Sequence, residues 1–299
     1  MGPNHKKKFK LKSVNFMFTV VIPFYNSSNT IRNSIKSIQN QTFKKFEVIF
    51  VDDGSVDESL SIIEREKFDV PVRILKQDNK GQGAARNFGI KNASFSYISF
   101  LDADDIWYPE RLSVLNDVII CHNYDVICHD EDIYENGRKI SVHKCGPHEN
   151  FKDLFFLRNC LSPSASIVKK DLIIQAGMFD ESENLRGVED YDLWLRLALI
   201  NAKFKYCNTV LGQYCLHDNN EIKKSDFYLR SIFLHKKFEK IIERDFKDEY
   251  QLKLIRRLIK VYFNAVRSLL KQKRFIRSII YTYYTFEQTS KYLFKLIVR

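Results

Sequence analysis

Long apolar runs are what this chain most plainly lacks. Nowhere in its 299 residues is there an uninterrupted stretch of about twenty apolar residues, the length a helix needs to cross a bilayer, so no membrane-spanning helix is expected. No internal repeat and no Gly/Ser linker divides the chain, which argues against a solenoid or a string of tethered modules. Its six cysteines (Cys121, Cys128, Cys145, Cys160, Cys207 and Cys215) form no C-x-x-C pair and keep no regular spacing. Scattered reduced thiols of a cytosolic protein are expected rather than a disulfide framework. His143-x-Cys145-x-x-His148 has zinc-ligand residue types, but no second ligand pair lies nearby, so zinc is not expected there. Residues 1–17 carry Lys6, Lys7, Lys8, Lys10 and Lys12 without an apolar core of signal-peptide length; they read as a disordered basic leader.

What is present in excess is positive charge, and it is unevenly placed. From Lys223 to Arg299 there are 20 Lys+Arg against 7 Asp+Glu, a net of +13. The whole chain is +11, so residues 1–222 sum to −2. A near-neutral body therefore carries a basic tail, suited to anionic lipid, nucleic acid or an acidic substrate.

The body has a rhythm. Phe18 to Pro23, Phe46 to Val51, Val70 to Leu75 and Phe95 to Leu101 are β-rich apolar runs. Between them Ile31, Ile35 and Ile38, then Leu60, Ile62 and Ile63, then the segment opened by Gly81 and Gly83 read as helices. Alternating strands and helices predict a parallel α/β sheet with right-handed crossovers. After Pro109 a helix runs to about Cys121. Shorter pieces follow, with an Asn136-Gly137 hairpin signal, so this half is expected to be mixed. Ser164 to Lys169 reads as a strand and Leu193 to Leu199 as a helix entered through Glu189-Asp190. Beyond Lys223 the periodicity is helical throughout.

In such sheets ligands bind beyond the carboxyl ends of the strands, and each end here carries polar chemistry: Tyr25-Asn26, Asp52-Asp53, Asp78-Asn79 and Asp102-Ala103-Asp104. The last is the most telling. A buried strand, Tyr97 to Leu101, ends in three carboxylates within four residues, Asp102, Asp104 and Asp105. Burying that charge unpartnered would cost several kcal/mol. A divalent cation, completed by a phosphate-bearing ligand, resolves it. The alternative is a solvated acidic turn.

Four segments in this order, Val21-Ile22-Pro23-Phe24-Tyr25-Asn26, Val51-Asp52-Asp53-Gly54-Ser55, Leu101-Asp102-Ala103-Asp104-Asp105 and Glu189-Asp190-Tyr191-Asp192-Leu193-Trp194, resemble a family 2 glycosyltransferase of the GT-A fold. The resemblance covers roughly residues 18–217. It implies a GT-A type, Rossmann-like, mostly parallel sheet with a mixed acceptor-side half. It also implies inverting transfer of a sugar from a nucleotide-sugar, usually with Mn2+ or Mg2+. Within it, Pro23, Tyr25, Asp53, Gly83, Arg86, Asp102 and Asp104 are expected at the donor. Tyr25 can stack a base, and Asp53 can accept from the N3–H of uracil, while Asp52 caps the following helix. Arg86 can bind the diphosphate or pair with a strand-end carboxylate. Asp102 would lie at the ribose or a metal-bound water and Asp104 on the metal. His217 is a further candidate metal ligand, although Cys215 stands where that pattern commonly has Arg. Asp105 is expected at a helix start before Pro109.

By the same resemblance Asp190 is the candidate general base, taking the acceptor hydroxyl's proton. Its alternative is a carboxylate satisfying a helix N-terminus. Glu189 and Trp194 are acceptor-side candidates, with Trp194 reading more readily as core. Asp192 is expected to face solvent.

The expected divisions are 18–222 for the catalytic domain, with halves 18–108 and 109–222, and 223–299 for a basic amphipathic helical extension. That extension suits peripheral contact with an anionic membrane at the cytoplasmic face, where lipid-linked or lipopolysaccharide acceptors are found. The other reading is a solvated helical bundle. Nucleic acid is not expected, because no RNA- or DNA-binding module is present. Two rival functions remain open: a sugar nucleotidyltransferase, which usually has a Gly-rich loop where Phe24-Tyr25-Asn26 stands, and a non-catalytic nucleotide-binding scaffold.

Overall fold

The computed structural model describes residues 18–148, 150–156, 160–217, 227–246 and 248–297. The expected leader, residues 1–17, and the expected boundary at 222/223 lie outside the described residues.

Four parallel strands form the first half. They are β1 (Phe18–Phe24), β2 (Phe46–Asp52), β3 (Val72–Lys76) and β4 (Tyr97–Phe100), and they lie in the order β3-β2-β1-β4. Every residue of β1, β2 and β4 is buried, as expected for strands covered on both faces. Thr19 and Glu47 are tolerated inside because they bond each other, Oγ1 to Oε1 at 2.7 Å. Helices α1 (Ile31–Gln39), α2 (Ser59–Arg65) and α3 (Gln82–Asn92) make the crossovers. In α1 the buried Ile31, Ile35 and Ile38 face the sheet. In α3 a side chain at Gly89 would meet Val21 Cγ1 at 2.4 Å, so only glycine lets this helix lie so close to β1.

The chain leaves β1 towards β2 on one side and returns through β3 to β4 on the other, so strand order reverses between β1 and β4. This is where open α/β sheets bind ligands. Pairing of β1 with β4 ends at Val21–Phe100. Pro23 lies just beyond, where its missing N–H costs no hydrogen bond to β4.

The second half is mixed, as expected. It contains β5 (Ile106–Trp107), α4 (Arg111–His122), β6 (Val126–Glu135), β7 (Arg138–His143), α5 (Phe151–Phe156), β8 (Ser166–Lys169), α6 (Lys170–Gln175), α7 (Glu189–Leu199) and β9 (Phe204–Leu216). The sheet continues β4-β8-β6-β9-β5, with β7 on β6. β8 runs antiparallel to β4 and β6, while β6 and β9 are parallel. The hairpin signal is realised, with φ of 51° at Asn136 and 75° at Gly137, the mirror-image turn that suits strand twist.

Three helices close the described chain: α8 (Phe227–Asp245), α9 (Asp248–Lys271) and α10 (Phe275–Ile297). They are continuous with the body of the sheet. Ile232, Leu234 and Phe238 of α8 and Leu254, Leu258 and Tyr262 of α9 belong to the same apolar cluster as Val21 and Phe100. The Phe238 ring packs on Phe151 and Phe155 of α5, with centroids 5.8 and 6.3 Å apart. None of the described helices is long and apolar enough to cross a membrane.

Candidate active site

The end of β4 is held by a network that sorts the three carboxylates. Asp105 turns inward. It accepts from Ser164 Oγ at 2.6 Å and from the Cys215 N–H at 3.0 Å, tying β4 to β8 and β9. Burial first, then the charges of Asp104, Glu131 and Asp102, push its carboxyl well above the usual range. It does not start the helix before Pro109, as the sequence suggested, because its partners come from distant strands. Asp102 stands at the cleft with its Oδ1 2.7 Å from Arg86 Nη2. Burial raises its pKa against the lowering effect of that guanidinium. Asp104 faces outward, and His217 Nε2 lies 2.5 Å from its Oδ2.

Asp104 and His217 set a carboxylate oxygen and an imidazole nitrogen side by side, two groups able to ligate a divalent cation. Among the described residues no group of three or more His, Cys, Asp or Glu side chains forms a complete cage. In the His143–His148 segment, His143 Nε2 is bonded to the Cys160 carbonyl at 2.9 Å, and Cys145 is fully buried.

The donor side is built from three strand ends stitched together. Asn26 N–H donates to Ser55 Oγ at 3.1 Å, and Val56 N–H donates back to Asn26 Oδ1 at 2.9 Å. Asp53 is buried and accepts from Gln77 Nε2, Lys80 N–H and Gly81 N–H, each at 2.8 Å. A carboxylate has about four acceptor positions. Three are filled, and the one left on Oδ2 is what an imide N–H could use. Asp53 thus locks the entry of α3 as well as being a candidate base contact. Asp52 bonds the Ser55 N–H at 2.8 Å and so shapes the turn rather than capping α2. Tyr25, just past β1, is 48% exposed, leaving its ring open to stacking.

Two donor candidates take different roles in this conformation. A side chain at Gly83 would lie 3.2 Å from the Asp180 carbonyl and 3.3 Å from Glu189 Cγ. Its bareness serves the approach of α3 to α7, a contact within the protein. Arg86 is fully buried and bridges Asp102 and Glu189, with Nη1 3.0 Å from Glu189 Oε1. Of its two expected roles, pairing with a strand-end carboxylate is the one seen.

That bridge joins the two halves of the site. Asp102, Arg86, Glu189 and Asp190 all line one cleft of about 550 Å³. Asp190 sits in the first turn of α7, its Oδ1 accepting the Tyr191 N–H at 2.6 Å. Burial, followed by the neighbouring Glu189 charge, pushes its carboxyl up to about 7, against the opposing pull of Arg86. Glu189 also takes the Gly187 N–H, which fixes the loop into α7.

Two neighbours on α7 are buried, Asp192 against expectation and Trp194 in keeping with its core reading. Asp192 is fully buried, within 2.7 Å of both Arg196 Nη2 and Lys237 Nζ, and does not face solvent. Lys237 comes from α8, a partner no local pattern reveals. Trp194 is fully buried with its Nε1–H on the Leu161 carbonyl at 3.0 Å. It packs beneath the cleft and offers no surface to an acceptor.

Two sets of residues have no signal in the sequence. Arg111 is buried behind β4, 3.6 Å above the Trp107 ring, and donates to His129 Nε2 and Ser99 Oγ at 2.7 and 2.9 Å. Burial brings its pKa down to about 9. On the far wall of the cleft stand Tyr228, Ser231, Arg257 and Lys260 from α8 and α9. Arg257 Nε donates to His235 Nε2 at 2.7 Å and Nη2 to Tyr191 Oη at 3.3 Å, linking the C-terminal helices to the residue beside Asp190.

The minor teichoic acid biosynthesis protein GgaA of Bacillus subtilis is 41% identical over 135 residues, covering 43% of this chain and 30% of that protein. The chain spans less than two thirds of the length of the curated relatives it matches first. The S. aureus TarS fragment 1–349, solved in complex with UDP, superposes with a TM-score of 0.61 at 25% identity, covering 80% of this chain and 69% of the fragment. The mannosyltransferase PcManGT of Pyrobaculum calidifontis, solved with GDP-Man and Mn2+, shares the fold with a TM-score of 0.59 at 17% identity, covering 94% of this chain and 86% of its own. The model of glycosyl transferase family 2 matches residues 19–172, and the chain is a member of that family.

Proposed function

We propose that this protein transfers a sugar from a UDP-sugar to a hydroxyl of a glycan acceptor, with inversion, in a single displacement. The observation that carries the reading is the shared cleft: the strand-end carboxylate Asp102 and the helix-entry carboxylate Asp190 line it together, with Arg86 holding Asp102 to Glu189. Tyr25 stacks the uracil and the free lone pair of Asp53 accepts its N3–H. Asp104 and His217 would hold a divalent cation, and Asp102 would stand at the ribose or in the cation's outer shell. When bound, that cation neutralises the diphosphate as it departs.

Asp190 accepts the proton of the acceptor hydroxyl as its oxygen attacks the anomeric carbon. A carboxylate near 7 suits that task, being ionised enough to act yet basic enough to take a proton. Arg86 keeps Asp102 and Glu189 from repelling each other and fixes the distance between donor and acceptor sides. The resemblance to GgaA, a teichoic acid biosynthesis protein, supports a bacterial surface polymer as acceptor; the likeness to TarS, solved with UDP, supports the uridine nucleotide, and the basic C-terminal segment suits assembly at the cytoplasmic membrane face. A panel of nucleotide sugars incubated with the protein and Mn2+, read by release of the nucleotide, tests the reading. Turnover of UDP-sugars above the others is expected, and turnover of none, with or without a lipid extract, refutes it.

A further inference from the structure

Helix α10 is oriented the wrong way round for a helix in water. Phe275, Ile279, Tyr283, Phe286, Leu293 and Phe294 are each between 52% and 70% exposed. At 3.6 residues per turn they fall within about 100° of the helix circumference, a single outward stripe. The positions turned inward are polar by comparison. Ser278 and Gln288 are 4% and 7% exposed, and the Ser278 and Thr285 hydroxyls are spent on carbonyls of their own helix. Tyr281 and Tyr284 rest on Tyr262 of α9, with centroids 6.1 and 5.8 Å away. An amphipathic helix packed only on its own protein buries its apolar face and shows its polar one. A contiguous exposed apolar patch of this kind marks an interaction surface.

We infer that α10 docks on an anionic lipid surface, its aromatic stripe lying in the headgroup–acyl boundary. This deepens the reading above and rests on it only for the acceptor's location. Charge chooses the occupant. The stripe is carried by a tail of net +13, with Lys271, Lys273, Arg274 and Arg277 around the turn into α10. A second copy would bring the same positive field and be repelled, whereas an anionic leaflet attracts it. Bulky apolar residues on one side and Lys/Arg beside them are the composition of an interfacial helix. The placement also serves the chemistry, because α10 packs on α9, whose Arg257 and Lys260 line the cleft. Two helices, α10 and α9, would then stand between the lipid and that cleft, roughly 20 Å.

The test uses the full chain, co-sedimented with vesicles of phosphatidylglycerol and phosphatidylcholine or of phosphatidylcholine alone. Binding to the anionic vesicles alone, weakened by salt, is expected. The double variant I279E/F286E should lose at least about tenfold in partitioning while keeping its circular dichroism. In a second readout, Phe286→Trp should shift its emission to shorter wavelength on anionic vesicles only. Equal binding of wild type and variant, or no binding by either, overturns the inference. So does a dimer in sedimentation velocity that I279E/F286E dissolves, because the stripe would then be a self-association face. Nucleotide release from the donor in vesicle-free solution reports on the cleft alone, so failure of docking and failure of the proposed function are told apart.

Discussion

Replacing Asp190 with Asn should have two effects of opposite sign. Asn is isosteric, and its Oδ1 can still accept the Tyr191 N–H, so the entry of α7 is retained. What is lost is the only proton acceptor in the proposed displacement. General-base assistance is worth about 10²–10⁴ in rate, and a fall of that size in kcat is expected with the donor KM little changed. Stability should rise. Asp190 titrates at about 7 against an ordinary 3.8, so the folded state binds its proton more tightly than the unfolded chain does. Stability from this group is fully present below the unfolded value. It is lost as pH rises through the folded one. At pH 8 the ionised carboxylate costs up to about 4 kcal/mol, an upper bound in a cleft open to solvent, and Asn relieves it. The assay pairs a pH–rate profile with urea denaturation at pH 8. Wild type should show an activity limb rising through about pH 7, absent from the residual activity of D190N, which should also be the more stable protein. An Asn variant with more than a tenth of wild-type kcat, or an unchanged limb, would refute the assignment of the base.

Other substitutions separate roles that the site brings close together. Arg86→Met leaves Asp102 and Glu189 facing each other without the buried cation that joins them, and urea denaturation should show a loss of about 3–5 kcal/mol. Tyr25→Ala should leave stability within about 0.5 kcal/mol, because the ring is 48% exposed. Removing one base-stacking contact, worth about 1–3 kcal/mol, should instead raise the donor KM roughly tenfold or more. Trp194→Phe should lower stability through the lost bond to Leu161 and the lost volume, while the acceptor KM stays unchanged; a selective rise in that KM would restore the residue to the acceptor site.

The parallel half of the sheet is legible because each of its covered strands is a near-continuous apolar run closed by polar residues, and helical spacing fills the gaps. β9 is not legible. Its 13 residues are buried at only four irregularly spaced positions and include Lys205, Asn208, Thr209 and Gln213, so no apolar run announces it. The residues at the strand ends and at Glu189-Asp190 could be named from their order along the chain. Their individual environments could not, since those are made by distant partners. Asp105 is turned inward by Ser164 and Cys215, Asp192 is covered by Lys237, and Arg86 is drawn to Glu189 across 103 positions of sequence. Periodicity likewise finds α10 but says nothing of which face it turns outward; the packing of Tyr281 and Tyr284 on α9 decides that.

The central claim is that Asp104 and His217 meet a cation through the donor's diphosphate. It is tested most directly by Mn2+ binding read in electron paramagnetic resonance, with and without UDP. The account predicts weak binding of Mn2+ alone, tightened by UDP, with the UDP-dependent part abolished in D104N and reduced in H217A. Tight binding of Mn2+ without UDP, or UDP-dependent binding that survives D104N, would contradict it.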